Sequence, residues 1–61
     1  MNTKQALSIA IKVLQERQRQ YKGMAVYYRD FGGPYKAEYD KWQALNEAIE
    51  VLQALKEHPN Q

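Results

Sequence analysis

Residues 44–55 (Ala44-Leu45-Asn46-Glu47-Ala48-Ile49-Glu50-Val51-Leu52-Gln53-Ala54-Leu55) repeat the design of residues 6–17 (Ala6-Leu7-Ser8-Ile9-Ala10-Ile11-Lys12-Val13-Leu14-Gln15-Glu16-Arg17). At an offset of 38 positions, seven of the twelve residues are identical, and six of those seven are apolar. What recurs is therefore a face rather than a composition. Leu7, Ala10, Ile11 and Leu14 fall at i, i+3, i+4 and i+7, the spacing that lines up one side of an α-helix. Gly32-Gly33-Pro34 stands between the two copies. Two amphipathic helices joined by so short a connection can only fold back antiparallel, as an all-α helical hairpin.

The ends of both helices are written in the chain. Asn2 or Thr3 can cap the first helix, and Asn2 with Gln5 three residues on approximates a capping box, in which each side chain satisfies an otherwise unpaired backbone N–H. The first helix is expected over residues 3–28, with Tyr21, Ala25 and Tyr28 prolonging its apolar stripe. Gly23 is a place where it could break or kink, at up to ~1 kcal/mol relative to alanine. Residues 29–33 read as the turn, since Gly32 and Gly33 can take the positive φ that ends a helix and reverses the chain. Pro34 suits the first position of a second helix over 34–57. Pro59 is expected to stop that helix, leaving Asn60 and Gln61 frayed.

Folding about residue 31 brings together positions whose numbers total 62 or 63. Leu7 then meets Leu55, Ile11 meets Leu52, Leu14 meets Ile49 and Tyr21 meets Trp42, with Leu45 in the same seam. Leu7, Ile11, Leu14, Tyr21, Trp42, Leu45, Ile49 and Leu52 make the expected hairpin core. Arg17 falls near Leu45, where its aliphatic stem can lie along the seam.

Ile9 and Val13 widen the apolar band of the first helix to roughly 200°, about twice the stripe that one contact needs. Ala44, Val51 and Leu55 broaden the second helix in the same way. A single mate cannot cover this much surface. A chain of 61 residues without cysteine and with one histidine has neither disulfides nor a metal to compensate for a small core. The expected solution is a homo-oligomer, a dimer forming a four-helix bundle, with Ile9, Val13, Ala44, Val51 and Leu55 at the interface.

Charge divides along the chain. Residues 1–29 carry Lys4, Lys12, Arg17, Arg19, Lys22 and Arg29 against Glu16, a balance of +5. Residues 30–61 carry Lys36, Lys41 and Lys56 against Asp30, Glu38, Asp40, Glu47, Glu50 and Glu57, a balance of −3. The two helices read as electrostatic complements lying side by side. The other reading is a basic first helix offered to an acidic partner.

All seven aromatics fall between residues 21 and 42 and must gather at the turn end. Tyr21, Tyr28, Tyr35 and Trp42 have the spacing to seal the tip; Tyr27, Phe31 and Tyr39 are freer to face outward. With Arg17, Arg19, Lys22 and Arg29, these three form a candidate partner-binding surface. The partner would be an unknown protein or, as an alternative, nucleic acid held by the basic first helix and the tip aromatics.

No enzyme is expected. One histidine beside a terminal proline and no cysteine exclude a serine–histidine–acid or cysteine–histidine set. Gln53 rather than histidine follows Glu50 at the spacing of bundle metal sites. The expectation is no catalytic residue, no metal ligand and no cofactor. Nothing resembles a signal peptide, and no run approaches the roughly 20 apolar residues of a membrane span. The default is a cytoplasmic protein.

Glu47-Ala48-Ile49-Glu50-Val51-Leu52 and its echo Ala10-Ile11-Lys12-Val13-Leu14 resemble the terminal helices of small helical-hairpin proteins from phages and prophages of Gram-positive bacteria. That resemblance implies an interaction or assembly role, as an accessory protein of a mobile element. It carries over no site residues.

Overall fold

The computed structural model describes residues 2–58. Helix α1 runs Thr3–Phe31 and helix α2 runs Tyr35–Glu57, antiparallel and side by side. The capping box at the start of α1 is complete. The Gln5 backbone N–H donates to Asn2 Oδ1 at 2.8 Å, and the Asn2 N–H donates to Gln5 Oε1 at 3.0 Å. Pro59, Asn60 and Gln61 lie outside the described residues, and α2 ends at Glu57 with His58 closing onto the Ala54 carbonyl.

The turn is shorter than the sequence suggests. α1 passes through Gly23 without interruption and continues three residues past Tyr28, so Arg29, Asp30 and Phe31 are helical. Pro34 is the residue before α2 rather than its first. The reversal rests on the two glycines alone, at φ 91° and 148°. Gly32 donates to the Tyr28 carbonyl at 2.7 Å, finishing α1. Gly33 packs against the Tyr28 side chain, and a β-carbon there would fall 2.9 Å from Tyr28 Cγ.

The contact between the helices follows a strict heptad. On α1 the inward residues are Leu7, Ile11, Leu14, Gln18, Tyr21, Ala25 and Tyr28; on α2 they are Glu38, Trp42, Leu45, Ile49, Leu52 and Lys56. Every one of these is buried or half-buried, and the steps alternate between four and three throughout. A 3.5-residue repeat keeps one seam facing its mate along a left-handed supercoil. In heptad letters, Ile11, Gln18, Ala25, Trp42 and Ile49 are a positions; Leu7, Leu14, Tyr21, Leu45 and Leu52 are d positions.

All eight residues expected in the hairpin core are in this seam, but polar groups share it. Lys56, not Leu55, is the inward residue at the open end; Leu55 is turned out. Gln18, not Arg17, occupies the middle, and Arg17 is exposed. The physical reason is the step: a seven-residue repeat from Ile11 lands on residue 18, not 17. The expected electrostatic pairing of the helices is also absent among the described residues. Both ion pairs, Arg29–Asp30 at 3.5 Å and Lys41–Glu38 at 3.2 Å, lie within a single helix.

Among the described residues, only Ile11, Ala25 and Ile49 are buried, and each keeps 4–7% of its surface exposed. The molecule measures 46 × 20 × 11 Å. Its thinnest dimension equals the roughly 10–12 Å diameter of one helix with its side chains, so the hairpin is a single layer. Stable domains normally set two layers against each other. Among the described residues, no helix is long and apolar enough to cross a membrane.

Candidate functional site

Reversing one helix against the other places like edges of the two heptads on the same side of the seam. The hairpin therefore has two unlike broad faces, one built from the g and c positions and the other from e and b.

The g/c face carries Ala6, Ala10 and Val13 from α1 with Ala44, Ala48, Val51 and Leu55 from α2. Val13 is 57% exposed, Val51 60% and Leu55 45%. At about 100° per residue, this second apolar stripe is centred roughly a quarter turn from the seam on both helices. Ile9 is at its outer margin, opposite the seam, and borders a shallow depression with Gln5, Ser8 and Lys56. Towards the turn the stripe is crossed by Arg17, Gln20 and Lys41, then resumes as Met24, Tyr27 and Phe31. The Tyr27 and Phe31 rings lie 5.0 Å apart, and Phe31 is the most exposed large apolar side chain described.

The e/b face is polar and, along α1, basic. Lys12, Arg19, Lys22 and Arg29 follow one another on that edge, with no acid among the e and b positions of α1. Opposite the tip half of this row, α2 presents Trp42, Tyr39 and Tyr35. Gln15, Gln18, Arg19, Lys22 and Trp42 line one depression; Lys22, Val26, Arg29, Tyr35 and Tyr39 line the next. Lys22 borders both, so the two depressions adjoin along this face, as the two halves of a groove with Lys22 between them. Its Nζ stands 6.0 Å from the Trp42 ring centroid, and the Tyr39 and Trp42 rings are 5.4 Å apart.

The expected partner-binding set is thus divided by the fold. Arg19, Lys22, Arg29 and Tyr39 share the groove, whereas Arg17, Tyr27 and Phe31 are on the opposite face. Tyr35, expected to point inward, is open to solvent and forms a wall of the groove. Tyr21, Tyr28 and Trp42 are half-buried. Lys41 closes over Tyr21, 5.5 Å from its ring, and bonds Glu38.

Two residues that join the helices are not legible in the apolar pattern because they are polar. Gln18 and Asn46 meet across the seam, Gln18 Nε2 donating to Asn46 Oδ1 at 3.1 Å. Gln18 Nε2 also approaches the Trp42 carbonyl at 3.4 Å, fixing the floor of the groove. Counting steps of 3.5 regardless of polarity would have found Gln18. Among the described residues, no group of three His, Cys, Asp or Glu side chains is arranged to hold a metal ion.

The arrangement defines a two-helix coiled hairpin with one apolar and one cationic–aromatic face. No family model, curated protein or solved structure matches the chain.

Proposed function

We propose that this protein is a small structural and interaction module that self-associates through its g/c face into a dimeric four-helix bundle. The observation that carries the reading is the second apolar stripe, a quarter turn from the first on both helices. In a square bundle each helix has two neighbours at right angles, and two stripes so disposed are what that arrangement requires. The one-helix thickness of the hairpin supports it: a second hairpin supplies the missing layer. Small residues at Ala6, Ala10, Ala44 and Ala48 permit close approach beside Val13, Val51 and Leu55. The resemblance to phage helical hairpins supports an accessory role in a mobile element, in the cytoplasm.

Sedimentation equilibrium over a hundred-fold range of concentration tests this. The expected mass is twice the 7.2 kDa of one chain, falling on dilution together with helicity. Val51→Glu and Val13→Glu should each shift the dimer midpoint to at least ten-fold higher concentration, because each places a carboxylate in the covered stripe. A folded 7.2 kDa particle at every concentration would remove the reading.

A further inference from the structure

The groove on the e/b face is not used by the proposed assembly, and its chemistry has a regular order. Arg19, Lys22 and Arg29 form one wall and Trp42, Tyr39 and Tyr35 the other, so cations of α1 face aromatic rings of α2 along its length. We propose that this groove binds a short segment of single-stranded nucleic acid, with bases stacked on the α2 rings and phosphates held by the α1 cations.

Three observations favour this occupant. First, the cations are free to act. Among the described residues Arg19 and Lys22 have no carboxylate partner, and Arg29 has only the solvent-exposed Asp30 beside it. Second, two of the rings are available: Tyr35 and Tyr39 are exposed, while Trp42 is half-buried at the seam edge of the groove, and all three are anchored on one helix, which holds their order. Aromatic platforms flanked by cations take bases of any identity because every base has a π-face. Third, the length fits. Ten residues separate Arg19 from Arg29, about 15 Å of helix, which spans about four nucleotides at the roughly 3.4 Å spacing of a stacked strand. A duplex presents its bases only at their edges and would leave the rings without stacking partners. An acidic peptide would satisfy the cations but not the rings.

Trp42 is the only tryptophan, so the groove carries its own reporter. The full chain is titrated with the single-stranded oligonucleotide dT8 at low salt, following Trp42 fluorescence. Saturable quenching is expected, with log Kd rising against log salt at a slope of about 2 for three cations on a single strand. Tyr39→Ala should weaken binding by roughly five- to a hundred-fold. Lys22→Gln should weaken it and lower the salt slope by about 0.7. Arg17→Gln, on the other face, should bind like the parent. Helicity by circular dichroism confirms that each variant is folded, and sedimentation of the same samples separates loss of binding from loss of the dimer. The proposal is overturned by absence of quenching, by unchanged affinity in Lys22→Gln or Tyr39→Ala, or by tighter binding of a blunt duplex or a poly-glutamate peptide than of dT8.

Discussion

Gln18 and Asn46 meet at 3.1 Å in the middle of a seam that is otherwise mostly apolar. Asn46 is held in turn by its own helix, its Nδ2 donating to Glu50 Oε1 at 3.3 Å. A half-buried amide pair contributes little net stability but loses its partner-to-partner bond when the helices slide. A polar residue at a single a position is an established means of fixing register in coiled hairpins and bundles. Gln18 stands at such a position, at the level where the second stripe is also interrupted by Arg17, Gln20 and Lys41.

Replacing both seam amides by leucine should therefore separate stability from specificity. The Gln18→Leu/Asn46→Leu variant is expected to melt higher, while sedimentation shows a broader mixture of assemblies. Gln18→Ala alone should cost about 1–3 kcal/mol, because it leaves Asn46 half-buried with its carbonyl oxygen unpaired. Thermal melts by circular dichroism, beside sedimentation, read both outcomes. A lower melting temperature in the double leucine variant would contradict this account of the pair.

The glycines of the chain should respond in opposite directions to the same change. Gly23 is helical and exposed, with open space where a β-carbon would stand. Gly23→Ala should stabilise the protein by up to ~1 kcal/mol, the propensity difference in a helix interior. Gly33 has φ 148° and the Tyr28 ring against it. Gly33→Ala should destabilise by about 1–3 kcal/mol through a backbone conformation closed to other residues. Urea midpoints for the two variants, measured at one protein concentration, test the pair of signs.

The start of α1 offers a smaller and cleaner effect. Asn2→Ala removes the acceptor for the Gln5 N–H and should cost about 1 kcal/mol. Asn2→Ser preserves a capping oxygen and should cost much less. Equal losses for the two substitutions would show that the cap is not what holds this end.

The Arg17 side chain interrupts the stripe that the proposed dimer covers, and a full-length partner would bring the same charge to the same level. Arg17→Leu should strengthen self-association, moving the dimer midpoint to lower concentration by about a hundred-fold, the equivalent of one large buried apolar side chain per protomer at roughly 1.5 kcal/mol each. Equilibrium sedimentation reads the shift directly. No shift, in a dimer that Val51→Glu still disrupts, would confine the interface to the half of the stripe around Val13, Val51 and Leu55.

Much of the hairpin was legible in the chain because helix period and turn chemistry are local. Leu7, Ile11, Leu14 and their counterparts Leu45, Ile49 and Leu52 declare a face by spacing alone. Asn2 and Gln5 mark a start, and Gly32-Gly33 marks a reversal. These features depend on contacts within four residues or on the φ range that a residue can adopt, so the sequence by itself determines them. The tertiary structure decided which side of each helix became the seam's edge and which remained open. Gln18, Glu38 and Lys56 take inward positions because the 3.5-residue step of two coiled helices overrides polarity, and only the mate's path fixes that step; Asn46, at the edge of the seam, is reached by Gln18 across it. The same geometry sends Arg19 and Arg17 to opposite faces although they are two residues apart. It also gathers Tyr35, Tyr39 and Trp42 opposite Arg29, Lys22 and Arg19, a juxtaposition of residues distant in the chain that no periodicity within one helix contains.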